Sequence, residues 1–140
     1  MSPIVLLLLL SFCVLFVEGK TCYSMDIRNT VDSLNQLKNC TEIAGFLKIV
    51  LMETVKNESD FDGYVFPELV EITGYLLFYN VLHLSSVGQL FPNLRVIRGT
   101  ELLTDYAMVI YDMPHIREVS KVGVSLGDFG FLNVNTFIGP

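Results

Sequence analysis

Short apolar stretches alternate with Gly and Pro through most of the chain. Residues 66–81 and 91–113 open in the same way: Phe-Pro, an apolar residue two places after the proline, an isoleucine three places later, and a glycine two further on. An Ile-x-Gly triplet recurs at residues 43–45, 72–74 and 97–99, at spacings of 29 and 25. A period of roughly 20 to 30 residues, with short strands and Gly turns, is typical of a solenoid, whose units stack because none buries its apolar face alone.

The segments after these glycines read with period two, as strands do. One alternate set is predicted to face the interior: Leu47, Ile49 and Leu51, then Leu76 and Phe78, then Met108 and Ile110. The opposite set would be polar if it merely faced water, yet beside Lys48 it holds Val50, Leu77, Tyr79, Val109 and Tyr111. An exposed apolar column predicts a partner-binding patch, with cover by a loop or a neighbouring subunit as the alternative.

A helix is predicted before the first repeat. Val31, Leu34 and Leu37 stand at helical spacing within residues 29–39, and Asn29 is a plausible N-cap. We expect this helix to plug the open N-terminal end of the solenoid. The predicted fold is therefore an α/β solenoid, similar to leucine-rich repeats, with an N-terminal capping helix.

The first 19 residues have the layout of a cleaved secretory signal. Residues 4–17 form an apolar run broken only by Ser11, and small residues follow it. A retained membrane anchor is the alternative. The predicted organisation is a signal peptide at 1–19, a single domain at 20–120 and a divergent C-terminal tail at 121–140.

Cysteines and sequons indicate an extracellular address. Cys22 and Cys40 remain outside the predicted leader, and two cysteines in a secreted domain most simply form one disulfide, with two free thiols as the alternative. Asn39 and Asn57 each begin an N-x-S/T sequon, a potential glycosylation site on an exposed loop. Together these features predict a secreted or cell-surface glycoprotein.

Charge and motifs exclude several functions. The net charge is −6 and Lys and Arg do not cluster, which argues against nucleic acid and anionic lipid as partners. Glu68, Glu71 and Asp112 do not recur at matching positions as converging catalytic carboxylates would, and His83 and His115 lack metal-ligand spacing. The chain is predicted not to be an enzyme and to need no cofactor or metal.

Four segments resemble the first leucine-rich (L1) domain of the insulin and insulin-like growth factor receptor family: MDIRN at 25–29, Asn39-Cys40, FPNLRVIRG at 91–99 and YAMVIYDM at 106–113. The resemblance covers residues 22–119 and implies a right-handed parallel β-helix. It also implies that an insulin-like peptide binds the outward face of the central sheet, together with a helix from the C-terminal part of the receptor's α-chain. The matching positions are Asp26, Arg28, Asn29, Val50, Leu51, Phe61, Leu77, Tyr79, Leu102, Leu103, Tyr106, Val109, Tyr111 and Asp112.

The sequence also departs from that family. Lys48 stands where the family commonly has Gln, Glu53 where an aromatic is usual, and residues 103–105 replace a bulkier segment, which favours a diverged, invertebrate-type receptor. Residues 121–140 do not follow the family, so we expect either a truncated fragment of a receptor tyrosine kinase or a secreted decoy. A generic secreted leucine-rich interaction protein of immunity or adhesion is the alternative function.

Overall fold

The computed structural model describes residues 18–119, Pro3 and the strand at residues 136–138. Within these residues the fold consists mostly of strands, with a few short helices. The strands are β1 (Lys20–Arg28), β2 (Cys40–Met52), β3 (Glu71–Ile72), β4 (Leu76–Val81), β5 (Val96–Ile97), β6 (Met108–Tyr111) and β7 (Thr136–Ile138). The helices are two 3-10 helices, Val31–Leu37 and Glu58–Phe61, and a short α-helix, Val87–Leu90.

One sheet contains all seven strands, and each of their pairings is parallel. The long strand β2 pairs with β1 along one edge. Along the other edge its first part pairs with β3 and its second part with β4. Strand β5 then pairs with β3, and strand β6 pairs with β4. The sheet therefore has two flanks that share β1 and β2: a β3–β5 flank and a β4–β6 flank.

The repeat seen in the sequence is a set of aligned rungs in this sheet. A rung is a row of residues paired across neighbouring strands. One rung of the β3–β5 flank consists of Cys22, Ile43, Ile72 and Ile97, and one rung of the β4–β6 flank consists of Leu47, Leu76 and Met108. All of these side chains are buried, as are Phe66 and Phe91, which open the two matching segments. The predicted interior column is thus confirmed for Leu47, Ile49, Leu76, Phe78, Met108 and Ile110.

Leu51 was also expected inside, and that prediction is wrong. Its φ of +57° turns the backbone out of the extended conformation, so strict alternation ends there, and Met52 takes the fully buried position instead. Positive φ recurs at the equivalent place in the neighbouring levels. This column of left-handed residues consists of Asn29, Leu51, Asn80 and Asp112, with φ of 72°, 57°, 48° and 50°.

A glycine corner separates the two flanks. The Gly74 amide donates to the Gly45 carbonyl at 2.8 Å, and the Gly99 amide donates to the Gly74 carbonyl at 3.0 Å. A Cβ on Gly74 would lie 2.6 Å from that Gly45 oxygen, which is a backbone atom and cannot swing away. The close approach of successive levels at this corner therefore requires glycine at position 74.

The predicted N-terminal helix is shorter and tighter than expected. It is a 3-10 helix over Val31–Leu37, with Leu34 and Leu37 fully buried. A strict three-residue spacing of apolar side chains matches 3.0 residues per turn, which explains why the tighter helix forms. The expected N-cap at Asn29 is wrong, because Thr30 occupies that position.

A disulfide joins Cys22 to Cys40, as the sequence predicted. It spans 18 positions and ties the start of β1 to the start of β2, with the 3-10 helix between them. Chain-entropy arithmetic for a loop of this length gives a stabilisation of about 3 kcal/mol. The predicted leader at 1–19 lies almost wholly outside the described residues, as does the predicted tail at 121–140 apart from residues 136–138.

Candidate functional site

The outward side of the β4–β6 flank carries five of the predicted binding residues, with Lys48 beside them. One outward rung consists of Lys48, Leu77 and Val109. The next outward rung, two residues further along each strand, consists of Val50, Tyr79 and Tyr111. We call the surface made by these six residues the β4–β6 face. Apart from Lys48 it is apolar or aromatic, a composition that is typical of partner-binding surfaces.

Two tyrosines form the centre of the β4–β6 face. The rings of Tyr79 and Tyr111 stack at a centroid distance of 5.6 Å and an interplanar angle of 29°. Tyr111 is 40% exposed, whereas Val50 and Val109 are 4% and 8% exposed and form the floor of the face. The aromatic pair therefore offers a pre-formed apolar platform at little cost in side-chain entropy, because each ring already packs against the other.

The N-terminal edge of the face is polar. The Arg28 guanidinium donates to both carboxylate oxygens of Asp26, at 2.6 and 2.5 Å. These hydrogen bonds lower the pKa of Asp26, against a smaller opposing effect of burial, and the nearby Lys48 charge lowers it further. Asn29 follows in the left-handed conformation, with its amide 3.4 Å from the Val50 carbonyl. Asp26, Arg28 and Asn29 are exposed and form a polar rim.

The six residues inserted after Gly99 build a turn at the other edge. Leu103 and Tyr106 exchange backbone hydrogen bonds at 2.9 and 3.0 Å, and Thr104 and Asp105 between them have positive φ. An open pocket of about 270 Å³ lies between this turn and the sheet, lined by Leu103, Thr104, Tyr106 and Val109. Leu102 is 44% exposed beside it. The turn thus extends the apolar surface beyond the strands.

The remaining predicted binding positions differ in exposure. Leu51 and Asp112 are partly exposed at the C-terminal ends of β2 and β6, where Glu53 accepts a hydrogen bond from Asn80 at 3.3 Å. Phe61 is fully buried in the core. Any part that Phe61 plays in binding is therefore indirect, through its support of the neighbouring structure.

Both sequon asparagines are exposed. Asn39 lies between the first 3-10 helix and β2, and Asn57 precedes the second 3-10 helix. The Asp60 carboxylate accepts from the backbone amides of Lys56 and Asn57 at 2.9 and 3.2 Å, and these bonds lower the pKa of Asp60. Both sites are accessible to modification, and their occupancy stays a prediction.

The outward side of the β3–β5 flank is polar. Arg98 forms an ion pair with Glu71. The Thr73 hydroxyl accepts a hydrogen bond from the Gly45 amide at 2.8 Å. Thr100 donates to the Thr73 carbonyl at 2.8 Å. These interactions are made within the chain, and no stacked aromatic pair of the kind formed by Tyr79 and Tyr111 is seen among the described outward residues of β3 and β5.

Two histidines that look unrelated in the sequence meet in the structure. The rings of His83 and His115 stack with centroids 4.3 Å apart, and His115 Nδ1 accepts from the His83 amide at 3.1 Å. Their separation of 32 positions equals that between Leu76 and Met108, so equivalence within the repeat was the signal available in the sequence. Across residues 18–119, no group of three or more His, Cys, Asp or Glu side chains could hold a metal ion.

Known proteins are similar to the part of the chain that builds this surface. The Receptor L domain family matches residues 39–125, which include β2 to β6 and both flanks. The chain belongs to the receptor L domain family. Its largely strand-built fold, with few helices, fits a receptor L domain, and the domain itself is non-catalytic.

Curated receptors resemble this receptor L domain closely. The insulin receptor of Xenopus laevis is 52% identical over 102 residues, covering 73% of this chain and 7% of that protein. The insulin-like peptide receptor of Branchiostoma lanceolatum is 50% identical over 107 residues, covering 76% and 8%. The putative molluscan insulin-related peptide(s) receptor of Lymnaea stagnalis is 45% identical over 103 residues, covering 74% and 6%. The chain thus spans less than a tenth of the length of these relatives.

No helix in the part of the chain that the structure describes is long and apolar enough to cross a membrane.

Proposed function

We propose that this receptor L domain binds an insulin-like peptide through the β4–β6 face. The observation that carries the proposal is the stacked pair Tyr79 and Tyr111 on an outward surface that is otherwise apolar except for Lys48. The names of the similar receptors, which refer to insulin and insulin-like peptides, indicate the class of partner.

The chemistry of the face suits a folded peptide partner. Burial of Leu77 and of the two tyrosine rings against the hormone stabilises the complex by about 25 cal/mol for each Å² of apolar area removed from water. Asp26, Arg28 and Asn29 lie at the rim, where hydrogen bonds fix orientation more than affinity. Leu102, Leu103 and Tyr106 enlarge the contact at the opposite edge.

The finer architecture follows from the same reasoning. In-register parallel rungs and a glycine corner suit a right-handed parallel β-helix, and the buried Leu34 and Leu37 suit a 3-10 helix that covers its N-terminal end. A disulfide, two exposed sequons and a leader-like N-terminus support an extracellular location. The domain acts there either as part of a longer receptor or as a secreted decoy.

The test is titration of the full chain, produced through a eukaryotic secretory pathway, with insulin, insulin-like growth factor 1 and insulin-like peptides of the source organism. We expect saturable binding by a monodisperse protein. Tyr79→Ala and Tyr111→Ala are each expected to lose at least ~1 kcal/mol of binding free energy, because centrally placed interface aromatics usually do.

Tyr23→Ala provides a matched control. Tyr23 is 76% exposed on β1, outside the β4–β6 face, so the same substitution removes an exposed tyrosine ring without touching the proposed site. Thermal unfolding of each variant reports whether folding is intact. Unchanged affinity in both β4–β6 variants, or an equal loss in Tyr23→Ala, would remove this face from the proposal.

A second partner is proposed from the family resemblance. A peptide matching the C-terminal helix of the receptor's α-chain is expected to strengthen hormone binding, since it would cover part of the same apolar face. The titration is repeated with this peptide at saturating concentration. If the affinity does not change, the shared site is wrong while direct hormone binding stands.

A further inference from the structure

Lys48 is the one charged side chain within the β4–β6 face. It lies in β2 between Asp26 of β1 and Leu77 of β4. Its side chain leans back along the strand, so that Nζ stands 4.7 Å from the ring centroid of Phe46 and 5.9 Å from that of Tyr75. These two rings stack at 5.2 Å with an interplanar angle of 16°, and the ammonium therefore rests against a rigid aromatic pair.

The position leaves the hydrogen-bonding capacity of the ammonium unused. In residues 18–119 the ion pairs at contact distance are Arg28 with Asp26 and Arg98 with Glu71, and no side-chain hydrogen bond is made by Lys48. Asp26, the carboxylate on the same rung, is already bound at both oxygens by Arg28. An aromatic face stabilises a cation without acting as a conventional hydrogen-bond acceptor, so the N–H donors that point away from the rings remain available to a partner.

This arrangement suits selective recognition of an anion. The aliphatic stem of Lys48 is partly buried and the head is held in place, so ordering the side chain on binding costs less than it would for a mobile surface lysine. Once a partner covers the face and excludes water, the interaction with a carboxylate strengthens, whereas a basic or amide group in that place is disfavoured.

The opposite end of the face has the reverse charge. Glu53 and Asp112 directly follow the last residues of β2 and β6, whereas Lys48 lies four residues before the end of β2, level with Leu77 and Val109, the second residues of β4 and β6. An apolar platform alone would accept a peptide in several orientations. The gradient from cation to anion along the strands favours a single orientation, with an acidic group of the partner over Lys48.

We propose that Lys48 is a specificity-determining residue of the β4–β6 face and receives an aspartate or glutamate carboxylate of the bound insulin-like peptide. This inference rests on the function proposed above. The inference adds one requirement that the apolar part of the face does not impose, namely an acidic residue on the hormone.

The experiment is a double-mutant cycle between the full chain and a binding peptide from the panel above. Each Asp or Glu of that peptide is replaced singly by Asn or Gln, and affinities are measured for the unmodified protein, Lys48→Gln and Lys48→Arg. We expect Lys48→Gln to weaken binding about tenfold, as loss of a partly desolvated charge contact does, and Lys48→Arg to retain most of the affinity. One of the amide-substituted peptides should bind the unmodified protein with about tenfold lower affinity than the original peptide does. Combining that peptide with Lys48→Gln should lower the affinity no further.

Lys56→Gln is the matched control, because Lys56 is exposed in the loop before Asn57 and its replacement removes the same charge away from the face. Equal weakening in both variants would indicate a general charge effect and overturn the assignment. Full affinity in Lys48→Gln would do the same while leaving the proposed function intact. Absence of binding by the unmodified protein would instead remove the proposed function itself. Coupling confined to acidic residues of the α-chain helix peptide would overturn the assignment to the hormone.

Discussion

The two flanks of the sheet share one interior and differ in what they present outside. Ile43, Ile72 and Ile97 fill the core under the β3–β5 flank as completely as Ile49, Phe78 and Ile110 fill it under the β4–β6 flank. On the outside, the first flank carries the Glu71–Arg98 ion pair, whereas the second displays stacked tyrosines. Burial in the core therefore accounts for the inward residues of both flanks but not for the exposed ring of Tyr111, and we assign a binding function to the aromatic pair for that reason.

The most severe way to test this shared interior is Phe78→Ala. Phe78 is fully buried and packs near Phe91 at a ring centroid distance of 6.4 Å. Its truncation is expected to cost about 3–5 kcal/mol of unfolding free energy. Urea unfolding followed by circular dichroism and by tyrosine fluorescence should show one transition. Two separated transitions would mean that the flanks unfold independently. Val65→Ala, at an exposed site, is the control and should change the unfolding free energy little.

Gly74→Ala tests the corner that joins the flanks. The added methyl would meet the Gly45 backbone, so successive levels must separate, at an expected cost of about 1–3 kcal/mol. Gly63→Ala introduces the same group where nothing lies within 4 Å and should stay within about 0.5 kcal/mol. Equal thermal stability of the two variants would show that the close approach at the corner is not required.

Leu51→Asn sharpens the comparison at the edge of the β4–β6 flank. Leucine is disfavoured in the left-handed conformation that Asn29, Asn80 and Asp112 adopt more readily, so the change is expected to stabilise the domain by about 0.5–1 kcal/mol. Leu82→Asn is the matched control, because Leu82 is also partly buried but has no positive φ, and it should lose stability. Denaturant midpoints measure both, and a loss in Leu51→Asn would contradict the strain argument.

The smallest expected effect is that of Glu71→Gln on the polar flank. The Glu71–Arg98 pair is partly exposed, so its removal should cost no more than about 1 kcal/mol of stability. Hormone affinity should not change, because the pair lies outside the β4–β6 face. A loss of affinity as large as that of Tyr79→Ala would extend the binding surface across the corner and end the functional contrast between the flanks.

The sequence predicted those parts of the structure that depend on periodicity. Alternation identified the buried rungs and the outward neighbours Tyr79 and Tyr111, because a strand exposes every second residue to the same side. It failed at Leu51, where a left-handed residue interrupts the alternation without any Gly to signal it.

Contacts between levels were harder to predict. The stacking of His83 on His115 and of Phe46 on Tyr75 depends on side-chain direction, which spacing alone does not give. The burial of Phe61 was likewise hidden, because its neighbours Asp60 and Asp62 are polar and a short 3-10 helix turns the ring inward.

The unequal spacing of the repeats has a consequence for how such a domain can change. The isoleucines of the β3–β5 flank pair in register although 29 residues separate the first two and 25 the next two. Connections of different length therefore join strands of the same sheet. The extra residues between Gly99 and Tyr106 form a turn, and the pairing of β4 with β6 is not interrupted. Insertions and deletions in these connections are expected to be tolerated, so such domains can lengthen or shorten their loops while the geometry of the strands stays constant.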